Sequence, residues 1–158
     1  MSGAGAPQFT VEQMGDVRVA IIASSWHDVV MNGLIDGAVA TCEAAGVQHQ
    51  VIRVPGSFEL GVASMRAAKS GTVDAIVALG VVIRGGTPHF EFVCTAATEA
   101  LNRVALDTGI PVGFGLLTCD TEEQALDRAG LWHSHESKGR EAAEAALVTL
   151  QTMRSVGW

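Results

Sequence analysis

Runs of apolar residues of strand length alternate along this chain with longer stretches of helical period, and that alternation leaves few folds open. Val17 to Ala23, Gln50 to Val54, Asp74 to Ile83 and Pro111 to Thr118 read as strands. The unbroken apolar run from Ile76 to Ile83 has the character of a parallel strand buried on both faces. Between the strands the spacing predicts helices. The first spans Asp28 to Ala45, with Val30, Leu34, Ile35, Ala38 and Cys42 on one face and Gly46 behind it. The second runs from about Phe58 to Ser70 and stops at Gly71; the third runs from His89 to Asp107 and is closed by Gly109. Asp120-Thr121-Glu122-Glu123-Gln124 holds two overlapping capping boxes, Asp120 with Glu123 and Thr121 with Gln124, which predict a short helix ending at Gly130. A last helix is expected from about Glu136 to Arg154. Strict alternation of this kind implies parallel strands covered by helices on both sides. The expected fold is α/β, a three-layer α/β/α sandwich with a four-stranded parallel sheet. It fills one domain over residues 16–158, behind an arm over residues 1–15 that is expected to be flexible.

A chain of 158 residues can bury one sizeable core. With 48% apolar and only 17% charged residues it carries more apolar surface than a free-standing small domain needs, which predicts an oligomer. The formal charge is −7 and the basic residues are scattered singly, which argues against nucleic acid or an acidic membrane surface as partner. An anionic substrate would have to be held by a local cluster, because the overall field repels it and fades beyond roughly 8 Å at physiological salt. Cys42, Cys94 and Cys119 are odd in number, far apart and in apolar settings, and read as reduced thiols of a cytoplasmic protein. The first fifteen residues lack the basic and apolar regions of a signal peptide. No apolar run approaches a membrane span.

Each strand's carboxyl end carries something unusual, and in open α/β sheets that edge is where ligands bind. After the first strand comes Ser24-Ser25-Trp26-His27, whose aromatic could stack on a planar ring or simply cap the core. After the second comes Pro55-Gly56-Ser57-Phe58-Glu59, in which Ser57 and Glu59 could bond a polyhydroxylated ligand or serve as an ordinary helix start. The third ends in Arg84-Gly85-Gly86-Thr87-Pro88-His89. Bare backbone, a hydroxyl and a helix N-terminus there can receive an anion, and histidine suits proton transfer near neutrality. The loop is neither a Walker loop nor a dinucleotide fingerprint. In the fourth, Phe114 stands between two glycines, and Arg128 and Lys138 follow downstream. These cations could hold a phosphate, or could form surface ion pairs with Asp127 and Glu141. His133 and His135 have no carboxylate or thiol partner at a metal-ligand spacing, and no metal site is expected.

At these residues the sequence resembles the lumazine synthase family from about Val17 to Leu150. The resemblance rests on Val54-Pro-Gly-Ser-Phe-Glu-Leu60, on Leu79-Gly-Val-Val-Ile-Arg-Gly-Gly-Thr-Pro-His-Phe-Glu-Phe-Val-Cys94, on Glu123-Gln-Ala-Leu-Asp-Arg-Ala-Gly130 and on Lys138-Gly139, in the family's order and spacing. It implies a flavodoxin-like fold and condensation of 5-amino-6-ribitylamino-uracil with 3,4-dihydroxy-2-butanone 4-phosphate to 6,7-dimethyl-8-ribityllumazine, with no cofactor and no metal. It implies that Trp26 stacks on the pyrimidine, that Ser57, Phe58 and Glu59 hold the ribityl chain, and that the backbone of Val81, Val82 and Ile83 reads the ring's polar edge. Gly86 and Thr87 would form the phosphate loop and His89 would transfer protons. Phe114, Lys138 and Arg128 would be added by a neighbouring subunit, with Arg128 on the phosphate. The implied partners are the small-molecule substrates, further copies of the chain and riboflavin synthase. The segment Leu131-Trp-His-Ser-His-Glu-Ser137 is longer than the turn of members that build icosahedral shells, which favours a free homopentamer. Two rival readings are a flavodoxin-like flavin-binding module and a non-catalytic, ligand-storing assembly of the same fold.

Overall fold

The computed structural model describes residues 9–158, so the expected arm over residues 1–15 lies partly outside the described residues. Its described part forms no helix or strand, yet Met14 is buried and its N–H donates to the carbonyl of Ala45 at 2.9 Å.

Four strands form one parallel sheet in the order β2-β1-β3-β4: β1 Arg18–Ser24, β2 Gln48–Val54, β3 Ala75–Ile83 and β4 Val112–Cys119. The helices are α1 Asp28–Ala44, α2 Leu60–Lys69, α3 His89–Thr108, α4 Glu122–Leu126 and α5 Lys138–Ser155. Side chains alternate across a strand, so β1 serves both faces of the sheet. Val19, Ile21 and Ala23 pack with α1 and α5 through Met31, Leu34, Ala146 and Leu147, whereas Ala20 and Ile22 pack with α2 and α3 through Leu60, Ala97 and Leu101. The sheet therefore has a core on each face, and the three layers expected from the sequence are present. Burying one such Leu or Ile side chain contributes about 1.5–3 kcal/mol.

Several boundaries differ from the sequence expectation, most by one residue. The second strand begins at Gln48 rather than Gln50, paired to Arg18. The helix after β4 ends at Leu126, not Gly130, and the last helix starts at Lys138, not Glu136. Both helix changes have one cause: residues 127–130 turn back to pair with residues 136–138. Gly130 N–H donates to Glu136 O, Glu136 N–H to Asp127 O and Lys138 N–H to Arg128 O, around an antiparallel bridge between Ala129 and Ser137. Amides that a longer helix would have used are taken by this pairing.

Strand order reverses direction between β1 and β3, so their carboxyl ends diverge into helices on opposite faces. A crevice opens there.

Candidate active site

The turn after β1 is built under strain. His27 has φ 59° and ψ 67°, the left-handed region that a non-glycine residue enters at a cost of about 1–3 kcal/mol. Ser25 Oγ donates to Val54 O at 2.8 Å and ties this turn to the end of β2. Between them Trp26 is thrust outward, 66% exposed, at the mouth of the crevice. A large apolar ring held in water by a strained turn is available for a ligand.

After β2, Ser57–Glu59 forms a single 3-10 turn leading into α2, so the helix expected from Phe58 starts at Leu60. Ser57 is buried and its hydroxyl donates to Val81 O at 3.4 Å, joining this turn to β3. Gly80 makes the contact possible. A Cβ there would lie 2.8 Å from Ser57 Oγ and 2.9 Å from side-chain carbons of Leu60 and Leu116. Gly56 leaves room in the same way, since its Cβ would stand 3.1 Å from Glu59 Oε2 and 3.6 Å from Trp26 Nε1.

These elements enclose a cavity of about 310 Å³ lined by Trp26, His27, Gly56, Ser57, Phe58, Glu59, Val81, Val82, Ile83, His89 and Val93. The structure thus brings together Trp26, Ser57, Phe58, Glu59, Val81, Val82, Ile83 and His89 of the residues singled out from sequence. His27, Gly56 and Val93 are additions. Val93 was legible in principle, standing one helical turn from His89 on the same face of α3. The left-handed backbone of His27 had no sequence signal.

Gly86 and Thr87 lie beside the cavity, in an open depression shared with Arg84, Gly85, Pro88 and Glu91. This loop runs directly into α3, whose N-terminal amides and dipole favour a negative group. Arg84 does not project free into the depression. Its Nε donates to Asp120 Oδ1 at 2.7 Å, it pairs through Nη1 with Glu91, and its guanidinium carbon sits 4.2 Å from the centre of the Phe90 ring.

Phe114, Arg128 and Lys138 do not line the cavity of their own chain. Phe114 lies in a separate cleft with Thr98, Leu101, Asn102, Ala105 and Val112. Arg128 donates from Nη1 to Gln124 O at 2.9 Å and stands 3.9 Å from Glu136, so of the surface pairings open to it the ion pair formed is with Glu136 rather than Asp127. Asp127 is engaged by His135. Lys138 pairs with Glu141 at 2.7 Å, one of the two alternatives open from the sequence, and also with Glu136. Partial burial pushes the Lys138 ammonium down, but these two carboxylates more than offset it and its pKa is raised.

Burial drives the thiol of Cys42 up to about 11 and raises those of Cys94 and Cys119, which removes thiolate chemistry from the candidates. Among the described residues no group of three His, Cys, Asp or Glu side chains could hold a metal ion, and no helix is long and apolar enough to cross a membrane.

Fold and site together define a doubly wound α/β protein with its candidate ligand cavity at the carboxyl edge of the sheet. The particular family is fixed by comparison with known proteins. Residues 16–154 match the family model described as 6,7-dimethyl-8-ribityllumazine synthase, and the chain belongs to that family. It is 60% identical over 157 residues to the 6,7-dimethyl-8-ribityllumazine synthase of Streptomyces avermitilis, covering 99% of this chain and 97% of that protein. It is 59% identical to the Streptomyces coelicolor enzyme of the same name at the same coverage, and 60% identical to that of Kocuria rhizophila over 97% of this chain and 99% of the relative.

Proposed function

We propose that the chain condenses 5-amino-6-ribitylamino-uracil with 3,4-dihydroxy-2-butanone 4-phosphate to 6,7-dimethyl-8-ribityllumazine, releasing phosphate and water. The observation that carries this reading is the convergence of Trp26, Ser57–Glu59, Val81–Ile83 and His89 on one cavity, in a chain matched by that family over nearly its whole length. Trp26 stacks on the pyrimidine, the turn at Ser57–Glu59 takes the ribityl hydroxyls, and the end of β3 meets the ring's polar edge through its backbone. The 5-amino group attacks the ketone, and loss of water gives an imine. Phosphate then leaves, stabilised by the amides and hydroxyl at Gly86 and Thr87 and by Arg128. The ribityl-bearing nitrogen closes the ring with loss of the second water. His89, at the start of α3 and on the cavity wall, moves protons between these steps. Much of the acceleration comes from holding two intrinsically reactive partners together, which can contribute up to ~7–11 kcal/mol.

In this reading Phe114, Lys138 and Arg128 act on the cavity of a neighbouring copy. Exposed Val62, Phe92, Leu106 and Phe114 support self-association, and the long 131–137 segment supports a homopentamer over a shell. Sedimentation distinguishes them. Riboflavin synthase, which would consume the product, is the further partner, and the three free cysteines fit a cytoplasmic setting. A flavin-binding module would need a phosphate loop after β1, where Ser24 is buried and Ser25 is bonded to Val54.

The test mixes pure protein with both substrates and follows lumazine fluorescence. A time-dependent rise above the uncatalysed rate is expected. A trace that matches the protein-free control would sink the assignment.

A further inference from the structure

We infer that Arg84 is a positioning residue, a clasp that closes the Gly85–Pro88 loop and sets the first turn of α3, and is not itself a ligand of the phosphate. The inference rests on the proposed function in one respect, that Gly86 and Thr87 receive the phosphate.

The loop has little of its own to hold it beyond the Glu91 N–H, which donates to Pro88 O at 3.1 Å where the loop enters α3. Gly85, Gly86, Thr87 and Pro88 are exposed, and a Cβ built at either glycine would meet nothing within 4 Å. Its conformation is therefore decided at its two ends, and Arg84 joins them. The Arg84 N–H donates to Cys119 O at 2.9 Å, continuing the β3–β4 ladder by one residue. Its Nε bonds Asp120 at the end of β4. The same guanidinium pairs with Glu91 in the first turn of α3 and lies over the ring of buried Phe90. Residue 84 is thus fastened to residues 90 and 91, and the four loop residues are closed into a ring pinned to the sheet. A planar fork that bonds in two directions while stacking on an aromatic face is a task for arginine and not for lysine.

The charges point the same way. Hydrogen bonds from Arg84 hold the Glu91 carboxyl below its usual range, and those to Asp120 and Glu91 raise the pKa of Arg84. Its one positive charge faces two carboxylates, which leaves no surplus for an anion in the depression. Each of these pairs is largely solvent-exposed and individually weak. Their joint effect is geometric.

Two variants separate a clasp from a ligand. Glu91→Gln removes a negative charge beside the proposed phosphate site, and simple electrostatics would tighten binding of the phosphorylated substrate. The clasp predicts the opposite. KM for the butanone phosphate rises roughly three- to tenfold, the scale of one or two exposed charge-assisted hydrogen bonds, with KM for the pyrimidine unchanged. Arg84→Lys keeps the charge and should fail to rescue, with a KM change of the same kind. Hydrogen exchange of the 84–92 peptide, read by mass spectrometry, should accelerate in both. A KM for Glu91→Gln equal to or below that of the unmodified protein would overturn the clasp, as would full activity in Arg84→Lys. Should the unmodified protein make no lumazine, the reaction assignment fails, and exchange still decides the clasp: faster exchange upholds it, unchanged exchange removes it.

Discussion

The crevice at the ends of β1, β2 and β3 and the loop over residues 127–138 are assembled on different principles. The crevice is built on a rigid sheet, and its lining is fixed by backbone. Trp26 is thrust out by a left-handed neighbour, and Ser57 is seated on a glycine of β3. The 127–138 loop has one antiparallel bridge and a set of ion pairs, and its two cations spend their charge on Glu136, Glu141 and the Gln124 carbonyl of their own chain. In the proposed reading the first region receives its ligand as it stands, whereas Arg128 and Lys138 in the second would have to exchange these partners to act. The difference teaches that a site can be half preformed, with specificity in the rigid half and charge in the adaptable one.

The strongest way to break this comparison is to remove charge from the adaptable half. Arg128→Ala is expected to lower kcat/KM roughly 10²-fold, the scale of losing one preorganised donor to a developing anion. Steady-state kinetics with both substrates checks it, and near-normal turnover would refute the phosphate contact. Altering the rigid half should act first on folding. Gly80→Ala forces a methyl against Ser57, Leu60 and Leu116 and is expected to cost about 1–3 kcal/mol of stability, read by denaturant unfolding. His89→Ala should be milder, a partial fall in kcat read by the same kinetics, because positioning remains when one proton-transfer group is removed.

The smallest effect concerns the pair that closes the adaptable loop. The hydrogen bond to Asp127 raises the pKa of His135 above its ordinary 6.5, and the contact with His135 lowers that of Asp127. Stabilisation by His135 is therefore complete below 6.5 and is lost as pH rises through the raised folded value. The share of Asp127 is lost only as pH falls through its lowered value. The pair is solvent-exposed, so thermal melts of the unmodified protein should decline only slightly as pH rises above 6.5, in a step that His135→Gln lacks.

The sheet and both helical layers were legible in the sequence because each strand carries its own apolar run and each helix its own period. The region that misled, residues 120–138, is where local signals compete with tertiary ones. Of the two capping boxes, Thr121 accepts from the Gln124 N–H as expected. Asp120 instead gives its carboxylate to Arg84, and its own N–H donates to the Gln124 side chain. Glu136, which reads as a helix start, is drawn into the bridge and faces Lys138. The candidate site shows the same division. Side chains carried on strand ends could be named from sequence, whereas the strained backbone at His27 has no residue-type signal and the partners of Arg128 depend on how residues 124–136 fold back on themselves.

Phe114, Arg128 and Lys138 lie away from the cavity of their own chain. In the proposed arrangement this makes catalytic power a property of concentration. A lone chain would keep a cavity able to hold one substrate but lack the charge to expel phosphate. Dilution below the dissociation constant of the assembly would then silence turnover without unfolding anything, while a partner that stabilised the assembly would act as an activator by mass action alone.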